Sequence, residues 1–451
     1  MQLGRFVYRY THMSYNLVQI NRNLVAAGQV APKQVLAFQD SLPGQPKKIQ
    51  GDFYMNILIF NCGSSSQGFK VYQTDKSGTK PEVVAFGKAK NVATKTKADA
   101  VLDWQIKGEA GSKTTKLPTH RLAAQQIITV LENNRIKIDA IGHRFVHGGS
   151  LFEKTVMIDE PTLEKLKQCL PFAPIHNPNS YSVIEVCLEQ LPSVPQYAVF
   201  DTSFHSGMPE VSKQYAIPRE LAGKYGFYKY GFHGLSYQFV SARMVELLGK
   251  PLESLKLIIC HLGTGGSSAV AVKDGKSLDT SMGYSPLPGL VMSTRCGDID
   301  AEIVLEMIRK GHSPDDVSKI LNNESGLIGL SGFSSNLNEV IDAGEKGNAN
   351  CQLAYEVYAH RLQTYLGAYT WLLNGADAIV FTDVAGLQSW RLREKVCSNV
   401  QNLGVEIDVD ANRLAPRNKA TLISRATSRT QIWVVPTDEE IVILNEIIAQ
   451  L

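Results

Sequence analysis

Two short runs of small residues carry the first chemical signal: Asn61-Cys-Gly-Ser-Ser-Ser-Gln-Gly68 and His261-Leu-Gly-Thr-Gly-Gly-Ser-Ser268. Without bulky Cβ substituents, their backbone N–H groups can approach an anion closely, and two such loops facing each other would hold two ends of a phosphate chain. A tight turn is the plainer reading of either loop alone. Neither matches G-x-x-x-x-G-K-[ST] or G-x-G-x-x-G, which disfavours a P-loop NTPase and a dinucleotide-binding dehydrogenase. Arg144, in Gly142-His-Arg-Phe-Val-His-Gly-Gly149, and Arg295, in Ser293-Thr-Arg-Cys-Gly-Asp-Ile-Asp300, suit a two-pronged grip on carboxylate or phosphate. Each also has a structural reading: an ion pair for Arg144, and neutralisation by Asp298 and Asp300 for Arg295. His176 and His233 stand in Pro- and Gly-defined loops, and Asp201 directly follows an apolar run, where it is either catalytic or a helix cap. Glu439 opens the last helical segment as a metal ligand or as a complement to the helix dipole. H-E-x-x-H and G-x-S-x-G are absent, so a zinc hydrolase and an α/β-hydrolase have no anchor.

These residues need positioning elements, and the sequence offers the same ones twice. The apolar run Asn56–Phe60 leads into the first Gly/Ser loop and the alternating segment Phe69–Gln73; 200 residues later Leu257–Cys260 leads into the second loop and Ala269–Val272. This predicts a strand–turn–strand unit in duplicate. Repetition at so long a spacing implies two similar domains rather than a solenoid. Ile136–Ile141, Ala198–Phe200 and Ala378–Phe381 read as further strands. Helical periodicity appears at 121–133, 162–169, 181–191, 299–309, 350–373 and 439–451. The expected architecture is therefore α/β, two domains around a cleft. Their expected bounds are 55–203, completed by 437–451, and 204–436.

At roughly 100–200 residues per domain, 451 residues suffice for such a pair. The net charge of +3 is too small to argue for nucleic acid. Residues 1–54 carry +4 of it, leaving the other 397 residues at −1. That basic segment is expected to lie outside the fold; an expression tail or an upstream start explains it more simply than the organellar transit peptide it weakly resembles. Seven scattered cysteines without C-x-x-C favour a reducing, cytoplasmic compartment, and no apolar run of 18 residues suggests a membrane span.

The motifs taken jointly resemble the acetate kinase (acetokinase) family in its order from Met55 to Leu451: Asn-Cys-Gly-Ser-Ser-Ser, His-Arg-Phe-Val-His-Gly-Gly, Ala-Pro-Ile-His-Asn-Pro, Phe-Asp-Thr-Ser-Phe-His, Tyr-Gly-Phe-His-Gly, His-Leu-Gly-Thr-Gly, Asp-Thr-Ser-Met-Gly and Ser-Thr-Arg-Cys-Gly-Asp-Ile-Asp. The resemblance implies the duplicated actin/hexokinase-like (ribonuclease H-like) fold, a homodimer, and reversible phosphoryl transfer between ATP and acetate with Mg²⁺, or Mn²⁺ in its place. By likeness, Asp201 is the catalytic carboxylate, ordering the metal and its waters. Arg144 and Arg295 clamp the carboxyl and phosphoryl groups, and His233 stabilises the transition state with His176 nearby. Val146, Ile175, Phe232 and Pro286 match the pocket for the methyl group, and Asn61 and Glu439 the metal site. Ser64, Ser66, Gly68, His261, Leu262, Gly263, Thr264 and Gly265 match the phosphate-binding loops. Asn336, Leu337 and Asn338, with Val384, Ala385, Gly386, Leu387 and Gln388, occupy the positions of the adenosine pocket.

Several departures fall on the donor side. Gly68 replaces the usual lysine, with Lys70 two residues on; Asn336-Leu-Asn338 replaces Asp-x-Arg; and Asp383-Val-Ala-Gly-Leu-Gln388 replaces Ala-Gly-Ile-Gly-Glu-Asn, putting Val384 for a glycine. Together with Thr264 and Cys296, these are similar to the branch that uses phosphate and diphosphate instead of ADP and ATP. ATP is the family's default donor and diphosphate the alternative. A non-catalytic binder of acyl phosphates is a third reading, and acetate against propionate or butyrate is left open, since one methylene is worth only about 1–3 kcal/mol in such a pocket.

Overall fold

The computed structural model describes residues 54–451 except 76, 77, 79, 80 and 95–98. The basic N-terminal segment, apart from Tyr54, lies outside the described residues. Fourteen strands among the described residues form two sheets. In the first, the order is β5 (Glu109–Thr115), β4 (Ala100–Ile106), β3 (Glu82–Lys90), β2 (Ser66–Thr74), β1 (Met55–Cys62), β6 (Ala140–Phe145), β8 (Gln196–Phe200), β7 (Val156–Met157). In the second it is β11 (Lys276–Thr280), β10 (Ser267–Lys273), β9 (Lys256–Leu262), β12 (Ala378–Thr382), β14 (Gln431–Val434), β13 (Thr421–Leu422).

The duplication seen in the sequence is a duplication of topology. β1 pairs antiparallel with β2 and parallel with β6, which pairs parallel with β8. β9 pairs antiparallel with β10 and parallel with β12, which pairs parallel with β14. The central strands are apolar on both faces because helices cover both sides: Ile57, Leu58 and Ile59 are all fully buried, as are Leu257, Ile258 and Ile259.

Two helices fill the space against the sheets. Leu235 and Phe239 of the helix Gly234–Leu248 join Val442, Ile443 and Ile447 of the helix Glu439–Ile448 over the first sheet. Tyr237, Val240 and Met244 of the former helix pack on Leu257, Ile259, Val270 and Val380 of the second sheet. One helix thus touches both sheets, and whatever its first turn carries is held between them.

Where the sequence suggested a strand over Ile136–Ile141, β6 spans Ala140–Phe145; residues 136–139 lie outside it, and Arg144 sits within the strand and not in the loop after it. His143 and Phe145 make this possible. His143 is buried, stacks on Phe60 and lies 2.8 Å from Gln196 Oε1, and Phe145 is fully buried.

Burial pushes His143, His147 and His205 down to about 4. They are neutral in the folded protein, whereas the unfolded chain takes up protons near pH 6.5. Stability contributed by these sites is intact above about pH 6.5 and is lost as pH falls toward 4, by up to about 1.4 kcal/mol per pH unit for each histidine. Melting temperatures measured from pH 8 to pH 4 should be level above 7 and drop steeply below 6.5; a level profile down to pH 4.5 would contradict this.

Candidate active site

The strand ends of both sheets open on one cavity of about 660 Å³. Asn61 comes from the end of β1, Arg144 from β6, Asp201 from the residue after β8, His261 from β9 and Asp383 from the residue after β12, while Glu439 begins the helix that follows β14. Presentation at carboxyl ends of parallel strands is the common solution in open α/β sheets.

On the side of the first sheet the guanidinium of Arg144 organises the charges. Its Nε donates to Asp201 Oδ1 at 2.8 Å and its Nη2 to Asp201 Oδ2 at 2.5 Å; Nη1 donates to Asn61 Oδ1 at 3.0 Å and lies 3.6 Å from Glu439 Oε2. Burial works against its charge, but Asp201 and Glu439 outweigh burial and raise its pKa further. Arg144 is thus ion-paired and also lines the cavity. Asp201 is not a helix cap; its backbone carbonyl instead accepts from Gly234 N at 2.9 Å, which fixes the start of the Gly234–Leu248 helix beside it.

Asn61 Nδ2 also donates to Glu440 Oε1 at 3.1 Å, and Lys70 Nζ lies 3.5 Å from both Asp438 Oδ1 and Glu440 Oε2. Burial, together with the charges of Asp201 and Glu440 and against the pull of Arg144, raises the Glu439 carboxyl. Crowding of hard oxygen donors in a buried corner fits Mg²⁺, which takes one or two carboxylates and leaves its other positions to water and phosphate. Asn61, Asp201 and Glu439 are the residues that would hold it.

The opposite wall is built from His233, His261, Arg295 and the Gly263–Gly266 turn. His233 is held in the left-handed region at φ 61° as the residue preceding the Gly234–Leu248 helix. Its Nδ1 lies 2.7 Å from Ser268 Oγ, which also bonds the Tyr237 hydroxyl, and its ring stacks on His261 at 4.1 Å. Burial first, and then the neighbouring His261, Arg144 and Arg295, hold His233 well below the ordinary histidine range. A Cβ placed on Gly266 would lie 3.2 Å from Arg295 Nη1 and 3.4 Å from His233 Nε2, so both groups converge beside that turn.

Arg295 differs from Arg144 in one decisive respect: its guanidinium makes no hydrogen bond or ion pair with the described residues. The two acids expected to neutralise it do not. Asp298 Oδ2 accepts from the Tyr365 hydroxyl at 2.8 Å and lies 3.4 Å from Arg361 Nη1, and Asp300 caps the helix Ala301–Arg309. Burial lowers the Arg295 pKa without a carboxylate to restore it.

Val146, Ala173, Phe232, Met282 and Met292 form a small buried apolar cluster, of which Val146 and Phe232 reach the cavity together with Pro286. Ile175 is half exposed and does not line the cavity; in that loop it is Ala173 that is buried, within the apolar cluster.

Of the donor-side residues, Ser66, Gly68, His261, Gly263, Thr264, Gly265 and Val384 line the cavity, as do Lys70 and His176. Ser64 is exposed and Leu262 is buried in the second sheet's core. The adenosine-side set is largely engaged elsewhere. Asn336 caps the helix Leu337–Glu345 by accepting from Asn338 N at 3.0 Å, and Leu337 is in the core. Ala385, Gly386, Leu387 and Gln388 belong to the helix Asp383–Gln388 and do not line the cavity. That helix is clamped from behind by the fully buried Arg393, whose Nη1 donates to Gly386 O at 2.8 Å and Leu387 O at 3.1 Å while Nε donates to Asn412 Oδ1 at 2.7 Å.

Sequence reasoning passed over Glu440, Asp383 and the cluster members Ala173, Met282 and Met292. Glu440 adjoins Glu439, and Asp383 follows a β12 that repeats β6, so adjacency and the internal repeat were available signals for these two. Ala173 and Met282 stand in motifs quoted for other residues, and nothing local marks Met292.

The model of the Acetokinase family matches residues 56–445. The acetate kinase of Dictyoglomus thermophilum is 42% identical over 402 residues, covering 87% of this chain and 98% of the relative. The acetate kinase of Thermotoga maritima is 42% identical over 401 residues with the same coverage. Among solved structures, the acetate kinase from Entamoeba histolytica superposes with a TM-score of 0.79 at 41% identity, and a propionate kinase from Francisella tularensis with 0.78 at 37%; each covers 87% of this chain and 98% of its own.

Proposed function

Because the chain belongs to the acetokinase family and has its duplicated actin/hexokinase-like fold, we propose that it is an acetate kinase, a phosphotransferase with a carboxyl acceptor, transferring a phosphoryl group reversibly to acetate. The observation that carries this reading is the unpartnered Arg295 guanidinium converging with His233 across the cavity from the Arg144–Asp201 pair, above a small apolar cluster.

The chemistry needs little beyond placement. Acetate is already ionised at neutral pH, so no proton has to be removed from it. In this reading its methyl group rests on Val146, Phe232 and Pro286, and Arg144 faces its carboxylate. The carboxylate oxygen forms a bond to phosphorus as the bond from phosphorus to the donor's bridging oxygen breaks, and the electron pair leaves with the donor. Arg295 and His233 donate to the equatorial oxygens, where charge is greatest in the transition state. Mg²⁺, when bound, neutralises the phosphate charge; Asn61, Asp201 and Glu439 would hold it. The Thr264–Gly266 backbone faces the donor phosphates.

The donor favoured by this geometry is diphosphate, giving acetyl phosphate and phosphate, in preference to ATP. Val384 and the Asp383 carboxylate stand beside the phosphate loop, and Arg393 fixes the segment that would have to open for an adenosine. The two-domain division, 55–203 with 437–451 and 204–436, follows the two sheets and is proposed with it. A homodimer is proposed as well, supported by the helix Ala301–Arg309, which buries none of its residues and exposes Ile303, Leu305 and Ile308.

Trapping acyl phosphate as hydroxamate tests the activity. Purified protein with acetate, Mg²⁺ and diphosphate should accumulate acetohydroxamate, and no product with either diphosphate or ATP would leave only a binding role. Val146→Ala should enlarge the acyl pocket and improve kcat/KM for propionate relative to acetate by about tenfold, the worth of a methylene; an unchanged ratio would remove Val146 from the pocket.

A further inference from the structure

Asp383 occupies an unusual position. It is the first residue of the Asp383–Gln388 helix, yet its φ is 59°, a left-handed conformation that side chains other than glycine, asparagine and aspartate rarely adopt. Its Oδ2 lies 3.1 Å from His261 Nε2, and a Cβ placed on Gly263 would come within 2.5 Å of the same oxygen. The carboxylate therefore lies against the glycine turn, in contact with the imidazole nitrogen that faces the cavity. The other ring nitrogen, Nδ1, is 2.9 Å from the buried Ser236 Oγ. Both nitrogens of His261 are thus engaged, and an ionised Asp383 can only accept, which requires Nε2 to carry the proton. The Asp383 carboxyl is held below the ordinary range, burial being outweighed by His261.

The geometry points to Asp383 as a positioning residue that sets donor affinity by competing for the His261 Nε2–H. In the free protein the carboxylate takes the bond that a donor phosphate oxygen would otherwise accept, and it adds a negative charge to the wall of an anion site. A phosphate entering the turn must share or displace that bond. Weak holding of phosphate follows, and with it fast release after transfer.

This inference rests on the proposed phosphoryl transfer, and its test separates the two. KM values for acetyl phosphate and for inorganic phosphate are measured with the wild-type protein, Asp383→Asn and Asp383→Ala. Asparagine tolerates the left-handed conformation and keeps an acceptor for His261 without the charge, so it guards against a folding defect; melting temperature and far-ultraviolet circular dichroism check this.

The expected result is a phosphate KM lowered about fivefold or more in Asp383→Ala and by less in Asp383→Asn, with the acetyl phosphate KM within about twofold of wild type. An unchanged or raised phosphate KM in both variants, or equal changes in both substrates, would overturn the inference. A wild-type protein that turns over with ADP alone would overturn the diphosphate reading only; the same three proteins would then be compared on the KM for ADP, where a drop in the variants supports the role of Asp383 and an unchanged or raised value overturns it.

Discussion

Replacing Arg295 by alanine is expected to lower turnover by about 10²–10³-fold, the usual worth of a group aimed at transition-state charge, without lowering the melting temperature. The two halves of this expectation have one cause. A half-buried guanidinium with no protein partner costs folding free energy, because burial disfavours its charge and nothing compensates. In the proposed reaction a ligand supplies the missing anion. Alanine removes the burden and the catalytic contact together. Arg295→Lys should recover part of the activity, keeping a charge but losing the planar fork. Steady-state kinetics with thermal denaturation checks both; a melting temperature several degrees lower would show that Arg295 has a structural partner.

Arg144→Ala should behave in the opposite way on stability and at least as severely on activity. Its guanidinium holds both oxygens of Asp201, which is 1% exposed, and also touches Asn61 and Glu439. Removing one member of so buried a pair leaves an uncompensated carboxylate and typically costs about 3–5 kcal/mol. Turnover should fall by at least about 10³-fold, since in the proposed reaction the acceptor-side clamp and the placement of Asp201 go together. The double variant Arg144→Ala, Asp201→Asn should be more stable than Arg144→Ala alone, because the stranded charge is gone; additive losses would contradict the coupling. Denaturant unfolding of Arg144→Ala, Asp201→Asn and the double variant gives the answer.

The contrast between these arginines also marks how far the sequence could be read. Both stood out by residue type and motif, and the strand–turn–strand repeat around Asn61 and His261 announced the two sheets, one of which carries Arg144, whereas Arg295 lies in the irregular segment after β11. Which arginine is paired and which is free depends on where Asp201, Asp298 and Asp300 point, and that is decided by tertiary packing. The edge strand β5 was illegible for a different reason: with Glu109, Ser112 and Lys113 it is a solvent-facing strand with little hydrophobic alternation to detect. The helix Gly234–Leu248 hid its period because it packs against both sheets, which spreads its apolar residues over two faces. Ile175 was assigned to the methyl pocket by motif position, but its side chain is half exposed and does not line the cavity, while Ala173 of the same loop is buried in the apolar cluster. The departures at Asp383–Gln388 were visible as substitutions. Their meaning emerged only with the His261 contact in front of the segment and the Arg393 clamp behind it.

Phosphorus NMR of acetyl phosphate turnover probes the reaction and its donor in one experiment. Purified protein, Mg²⁺ and acetyl phosphate are supplied with inorganic phosphate in one tube and ADP in another. A growing diphosphate resonance is expected in the first as acetyl phosphate disappears, with little ATP in the second. ATP formation without any diphosphate would contradict the donor assignment, and no enzyme-dependent loss of acetyl phosphate in either tube would contradict phosphoryl transfer at this site altogether.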